Sequence, residues 1–327
     1  MEYRKLGKTG FKISEISLGT WQVGGKWGEP FNNDNAHQII NTAIDAGINF
    51  IDTADVYSNG LSEKAIGRVI RTRSERIYVA TKCGRQLQPH NNESYQPNVL
   101  RKFVEASLKN MNLECLDLIQ LHCPPTQVYY RPEIFELFDI LKQEGKILNL
   151  GVSVEKPEEA LKAIEYPNVC SVQIIFNMFR PRPSELFFKE AKRKDIGIMA
   201  RVPLASGLLT GKFTANSVFS QNDHRNFNIH GAAFDKGETF SGIDYAKGLE
   251  AVEELREIFP NQELAAIALK WILMFDEVSC VIPGASSPQQ ALSNVKALDL
   301  PNLSNTEMEA VRRIYEKLIK FPVHFQW

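Results

Sequence analysis

The chain has 327 residues, long for one globular domain and ordinary for an α/β barrel. Its 43% hydrophobic and 24% charged content is that of a globular protein with a sizeable core, and a net charge of −1 with both signs interspersed argues against nucleic-acid or anionic-membrane partners. Apolar runs fall far short of the roughly 20 residues that a membrane helix needs, and MEYRKLGKTG has no signal-peptide core, so the cytoplasm is the expected compartment.

An N-terminal β-hairpin is predicted first, from EYRKL through a GKTG turn into FKISEISLG. Eight strand-like apolar runs follow, at Ile16–Gly19, Asn49–Asp52, Ile77–Thr81, Leu116–Leu121, Ile147–Ser153, Ser171–Phe176, Ile196–Ala200 and Ser279–Ile282. Most are separated by one amphipathic helical segment. DNAHQIINTAIDAG runs from a capping Asp34 to Gly47; LSEKAIGRVI places Ile66, Val69 and Ile70 on one face; NVLRKFVEASLKNM, PEIFELFDILKQEG and KPEEALKAIEY are similar. Strands apolar on both faces, alternating with helices, imply a parallel sheet with helical crossovers. Eight such units with no G-x-G-x-x-G after any strand favour a single (β/α)8 barrel domain over a dinucleotide-binding open sheet. The rhythm breaks once, between Ala200 and Ser279, where a long polar loop follows strand 7. A helix over Asn305–Ile319 and an aromatic tail, KFPVHFQW, end the chain.

Chemistry in such a barrel belongs to the C-terminal strand ends. The polar residues there are Asp52 with Tyr57 just beyond it, Lys82, His122, Ser153, Gln173 and Arg201. Singly, Asp52 is a turn former, Lys82 a surface lysine and His122 a structural histidine. Together, an acid, a lysine and a histidine on consecutive strands converge on one mouth. No metal site is expected, because none of the six histidines has H-x-H or H-E-x-x-H spacing. The five cysteines, Cys83, Cys115, Cys123, Cys170 and Cys280, form no C-x-x-C pair and read as reduced, mostly buried thiols.

GINFIDTADVYSNGLSEKAIG, VATKCG, LDLIQLHCPP, LGVSV, ARVPLASGLLTGKF and VIPGASSPQQALSNV resemble, in order and over nearly the whole chain, the signatures of the aldo-keto reductases. The resemblance implies a barrel that reduces aldehydes and ketones with NADPH, with Asp52, Tyr57, Lys82 and His122 as the catalytic four. Those residue types suit the reaction. Negative charge develops on the carbonyl oxygen, and an acid must protonate it. Tyrosine, with a reference pKa of about 10, is protonated but weak; a lysine cation beside it favours the tyrosinate. Asp52 would hold Lys82 charged, and His122 would orient the carbonyl by hydrogen bonding.

The resemblance also assigns a cofactor site. Gly19, Thr20 and Trp21 would approach the cofactor along with Asp52; Ser153 and Gln173 would hold the nicotinamide amide, with Val154 standing where relatives have asparagine. Trp21 and Trp27 are candidate substrate walls beside Tyr57 and His122. Arg201, Val202 and Pro203 are assigned to the cofactor, and Leu204, Ser206, Gly207 and Lys212 just beyond them would strap the pyrophosphate; this loop differs from a P-loop in spacing and by Phe213 where Ser or Thr is required. Arg201 replaces a stacking aromatic, so its charge is expected to be paired or turned away from the ring. After strand 8, Ser287 reads as an N-cap with Pro288 in the first helical position. Gly284, Ser286, Gln290 and Asn294 would face the adenosine end. Relatives often carry Lys or Arg near 286 for the 2′-phosphate; here Lys212 or Arg225 would have to supply that charge, and NADH is a possible alternative. The implied partner is a small carbonyl compound, with either a monomer or a homo-oligomer compatible. Two rivals stand beside this reading: a non-enzymatic regulator, since potassium-channel β subunits share the barrel and cofactor site, and a Schiff-base aldolase using Lys82.

Overall fold

In the computed structural model, which describes residues 1–25 and 29–327, the chain opens with an antiparallel hairpin of β1 (Tyr3–Lys5) and β2 (Lys12–Ser14). Eight parallel strands follow: β3 (Leu18–Gly19), β4 (Phe50–Asp52), β5 (Tyr78–Cys83), β6 (Leu116–His122), β7 (Ile147–Val154), β8 (Val169–Ile175), β9 (Gly197–Arg201) and β10 (Val278–Val281), each paired with its sequence neighbour. The ring closes where Ile16 bridges Val281 and Gly19 bridges Gly284. Amides of Ser17 and Gly19 donate to Val281 and Pro283 oxygens there, both at 3.0 Å. The expected first strand is therefore mostly a seam: only Leu18–Gly19 forms a continuous ladder, and Ile16 contributes one bridge.

Helices α1 (Asn33–Asp45), α2 (Leu61–Ile70), α3 (Pro97–Met111), α4 (Pro132–Gln143), α5 (Pro157–Ala163) and α6 (Phe187–Arg193) lie between these strands. Helix α1 buries Ala36, Ile39, Ile40, Ala43 and Ile44, the spacing of one helical face. Its cap is Asn32, whose side chain accepts from the Asn35 amide, so Asp34 sits inside the first turn where a carboxylate suits the dipole. Prolines open α3, α4 and α5, in the position where a missing N–H costs nothing.

The break after β9 holds α7 (His224–Phe227), α8 (Tyr245–Ile258) and α9 (Leu264–Leu273), with short 3₁₀ turns before and between them. The polar loop is an ordered flap knit by rings: Phe219 packs edge-on against Phe213 at 5.2 Å and tilted against Phe240 at 5.7 Å. After β10 come α10 (Pro288–Val295) and α11 (Asn305–Ile314); the latter continues as one π-helical turn, Tyr315–Ile319, where a plain helix is expected. The tail folds back on its own chain. Trp327 is buried beneath the Arg180 guanidinium, 4.5 Å from its ring, and a Cβ at Gly242 would come within 2.1 Å of the indole.

The hairpin stoppers the barrel floor. Leu6, Phe11 and Ile13 pack with Phe50, Ala80, Leu118, Met199, Cys280 and Ile282 in one apolar cluster. At Gly7, with φ +48°, a Cβ would lie 2.1 Å from the Gly197 nitrogen, so only glycine lets the turn seat on β9. Side chains alternate along each strand, so the same inward faces carry apolar residues at the floor and polar ones above: Phe50 then Asp52, Ala80 then Lys82, Leu118 then Gln120 and His122, Met199 then Arg201. Among the described residues no helix is long and apolar enough to cross a membrane.

Candidate active site

Register brings the strand-end residues together. Lys82 pairs across with Gln120, His122 with Ser153, and Ser153 with Gln173. Lys82 Nζ lies 2.5 Å from Asp52 Oδ1 and 2.8 Å from the Thr53 carbonyl, with both side chains almost fully buried. The other Asp52 oxygen accepts from Gln173 Nε2 at 2.8 Å and Gln120 Nε2 at 3.1 Å. A buried charge pair holds only when its remaining lone pairs are satisfied, and the two glutamines do this. Tyr57 arrives from the loop, its hydroxyl 3.3 Å from Lys82 Nζ. It is followed by Ser58 and Asn59 in left-handed conformation, a tight turn directly after the tyrosine. The His122 ring stands edge-on to Tyr57, centroids 6.1 Å apart.

Burial dominates the electrostatics. It works against the Lys82 cation, but Asp52 and the Tyr57 oxygen outweigh it and hold the ammonium above its ordinary value. Burial pushes the Tyr57 phenol up; Lys82 pulls it down, Asp52 adds to the rise, and the net direction is upward. The expected acidification by lysine is thus present but overridden by desolvation. His122 is driven well below the usual imidazole range by burial, then by Arg85, Lys82 and Arg201, so it is neutral at pH 7. The same burial pushes the Cys83 thiol up and Cys280 up to about 12, as expected of inert thiols.

Two residues before the tyrosine stands an acid that no strand-end rule singles out. Asp55 is 3% exposed and neither carboxyl oxygen meets a well-aligned donor among the described residues, although the backbone amides of Val56 and of Asp55 itself lie near. Burial, with the neighbouring Glu63 carboxylate, pushes it up to about 8. Below the ordinary value of 3.8, folded and unfolded chains are both protonated at this site. As pH rises from there through about 8, only the unfolded chain ionises, so stability is progressively lost. Asp55→Asn is therefore expected to stabilise by on the order of a few kcal/mol more at pH 8.5 than at pH 5. Urea denaturation at the two pH values checks this; an equal effect at both would remove the neutral assignment. Glu63, the glutamate of the motif, is wholly buried and structural: it accepts from Thr81 Oγ1 at 2.5 Å and Asn110 Nδ2 at 2.8 Å.

The residues assigned to the cofactor lie at the strand ends, in the loop and flap after β9 and around the start of α10. Thr20 donates to the Asp52 carbonyl at 2.9 Å. Trp21 packs 4.8 Å from His224 and 6.4 Å from Phe234 of the flap; Trp27 lies outside the described residues. Ser153 Oγ is 3.4 Å from Cys123 Sγ, and Gln173 has its amide nitrogen on Asp52, leaving its carbonyl oxygen for another donor. Val202, Ala205, Ser206, Gly207 and Gly211 all have positive φ. Turns of this kind present backbone N–H groups to anions where those groups are free; here the Ala205 and Gly207 amides already donate to the Val202 and Leu204 carbonyls, and the Gly211 amide to that of Leu208. Ser206 Oγ fastens the flap instead, donating to Glu238 at 2.8 Å and accepting from Phe240 at 3.1 Å. Ser287 caps α10 as expected. Gln290 accepts from Ser286 at 2.7 Å and Asn294 donates to Gly284 at 3.2 Å, so both amides brace the turn. Lys212 is exposed, whereas Arg225 is tied to Asp223 at 2.5 Å and stacked 4.7 Å from Phe219.

Arg201 is paired, one of the two expected outcomes. Its guanidinium lies 2.8 Å from Glu155, 3.6 Å from Glu238 and 3.5 Å from Cys123 Sγ. Those three acceptors lie within 4.8 Å of one another in metal-ligand fashion, and the guanidinium sits among them. Glu155, Glu238 and Arg85 went unnoticed in the sequence. Glu155 had a usable signal, two residues beyond Ser153 on the same strand end; Glu238 and Arg85 come from loops with no periodicity.

The aldo/keto reductase family model matches residues 15–316. The chain is 29% identical to an NADH-specific methylglyoxal reductase of Escherichia coli over 96% of its own length and 98% of that protein's. It is 26% identical to a voltage-gated potassium channel subunit β protein of Arabidopsis thaliana, with full coverage of both. The structure of a glycerol dehydrogenase from Gluconobacter oxydans superposes with a TM-score of 0.80 at 30% identity, covering 98% of this chain and 97% of that one. With the sheet order, the match across nearly its whole length and the barrel shared with a solved dehydrogenase all in agreement, the chain belongs to the aldo/keto reductase family.

Proposed function

We propose that the protein reduces a small aldehyde or ketone to the alcohol, with NADPH as reductant and Tyr57 as proton donor. The observation that carries this reading is the buried chain Asp52–Lys82–Tyr57, with 2.5 and 3.3 Å links, ending beside a neutral His122. When bound, the reduced nicotinamide supplies the hydride. Ser153 and Gln173 hold and orient that ring, and the Arg201–Lys212 loop holds the pyrophosphate. His122 positions the carbonyl oxygen through Nε2. Tyr57 gives its proton to that oxygen, and the Lys82 ammonium stabilises the phenolate left behind. Asp52 keeps the lysine charged throughout. Lys82 Nζ is enclosed by Asp52, Thr53 and Tyr57, which supports electrostatic work over Schiff-base chemistry.

NADH is the second reading. Ser286 stands where relatives place a 2′-phosphate cation, and Glu29 lines the same cleft of about 360 Å³. The NADH-specific methylglyoxal reductase agrees with a small substrate and with this nucleotide. Fluorescence titration with NADPH and NADH, followed by an aldehyde panel with the tighter one, tests both. Absence of binding to either nucleotide would overturn the function, and binding without turnover would favour a regulatory subunit.

A further inference from the structure

The mouth beside His122 is walled by charge. Arg201 projects from the end of β9, Arg85 from the turn after β5, Glu155 from just past β7 and Glu238 from the flap. Arg201 Nη2 donates to Glu155, to Cys123 and to the Val154 carbonyl at 3.2 Å, whereas its buried Nε meets no partner among the described residues. Arg85 has no such bonds. Its Nη1 is 3.8 Å from Glu155 and its Nη2 is 3.4 Å from Glu238, beyond normal hydrogen-bond length. It makes no hydrogen bond among the described residues, though its side chain is only 20% exposed and lies 5.8 Å from the Phe234 ring. A guanidinium carries five N–H donors in a fixed fork, and leaving them unpaired in a largely desolvated site is costly. Glu155 and Glu238 each turn one oxygen to Arg201 and the other to Arg85, so the four charges balance while the Arg85 fork is held by loose ion pairs without a hydrogen bond.

We propose that Arg85 binds an oxyanion carried by the carbonyl substrate near its reacting carbon, so that the preferred substrates are short aldehydes or ketones bearing a carboxylate or phosphate. The planar fork of arginine matches two oxygens of either group. This inference rests on the carbonyl-reductase reading, and its test separates the two.

Wild type, Arg85→Met and Arg85→Lys are compared on matched substrates: succinic semialdehyde against butanal, and glyceraldehyde 3-phosphate against glyceraldehyde. The charged member of one pair should be favoured, and the favoured pair identifies the group as carboxylate or phosphate. Arg85→Met should lower kcat/KM for that member by roughly 10²-fold while changing its neutral partner by less than about threefold, and Arg85→Lys should recover part of the loss. Independently of turnover, tryptophan fluorescence of the nucleotide-saturated protein is titrated with succinate and with inorganic phosphate, and Arg85→Met should weaken the tighter of the two at least about tenfold. Equal use of charged and neutral substrates by the wild type, or an equal loss on both in Arg85→Met, overturns the proposal, as does anion binding unaffected by the substitution. No turnover of any carbonyl, with anion binding still dependent on Arg85, would support the oxyanion site and overturn the reductase reading.

Discussion

Tyr57→Phe is expected to lower kcat for carbonyl reduction by roughly 10²–10⁴-fold, the usual contribution of a positioned acid, with nucleotide affinity little changed. The substitution removes one hydroxyl, the group that faces Lys82 Nζ at 3.3 Å. The ring, edge-on to His122 and 4.9 Å from the ammonium, stays in place to fill the wall. Steady-state rates and nucleotide titration on one preparation check the prediction. A mutant with wild-type kcat would remove Tyr57 from the proton path, and one that loses nucleotide binding would reassign the hydroxyl to the cofactor.

Lys82→Met is expected to abolish turnover and to cost about 3–5 kcal/mol of stability, the range for breaking a buried ion pair from one side. Asp52, 3% exposed, would keep only the two glutamine amides as donors and could not remain a well-satisfied carboxylate. The double substitution Asp52→Asn with Lys82→Met should recover at least half of that loss, because it removes the stranded charge. Urea denaturation of the two single variants and the double variant measures the coupling. A single variant as stable as wild type would show that the amides alone suffice, and that the lysine is kept for chemistry.

Much of this site was legible because its parts obey short-range rules. A period of two on buried strands points Asp52, Lys82, His122, Ser153 and Gln173 inward, and parallel register brings them to one height. The same rule could have found Gln120, two residues before His122, yet an amide inside an apolar run announces no role until its acceptor is seen. Capping went astray at Asp34 because Asn32 offers an equally good side chain two residues earlier. The direction of the Tyr57 shift was misread for a different reason: sequence names the lysine beside the phenol but not the protein closing over it, and burial is the larger influence. In the Arg85–Glu155–Glu238–Arg201 wall, Arg201 and Glu155 follow the strand-end spacing, but Arg85 and Glu238 come from loops 153 positions apart, where no spacing rule reaches. The resemblance did anticipate one feature of that wall, a countercharge for Arg201.

The stoppered floor has a consequence for traffic. A barrel sealed below by Leu6, Phe11 and Ile13 is a blind alley with one entrance. Whatever reaches Tyr57 comes from the strand-end side and leaves by it, so arrival and departure share one face of the barrel.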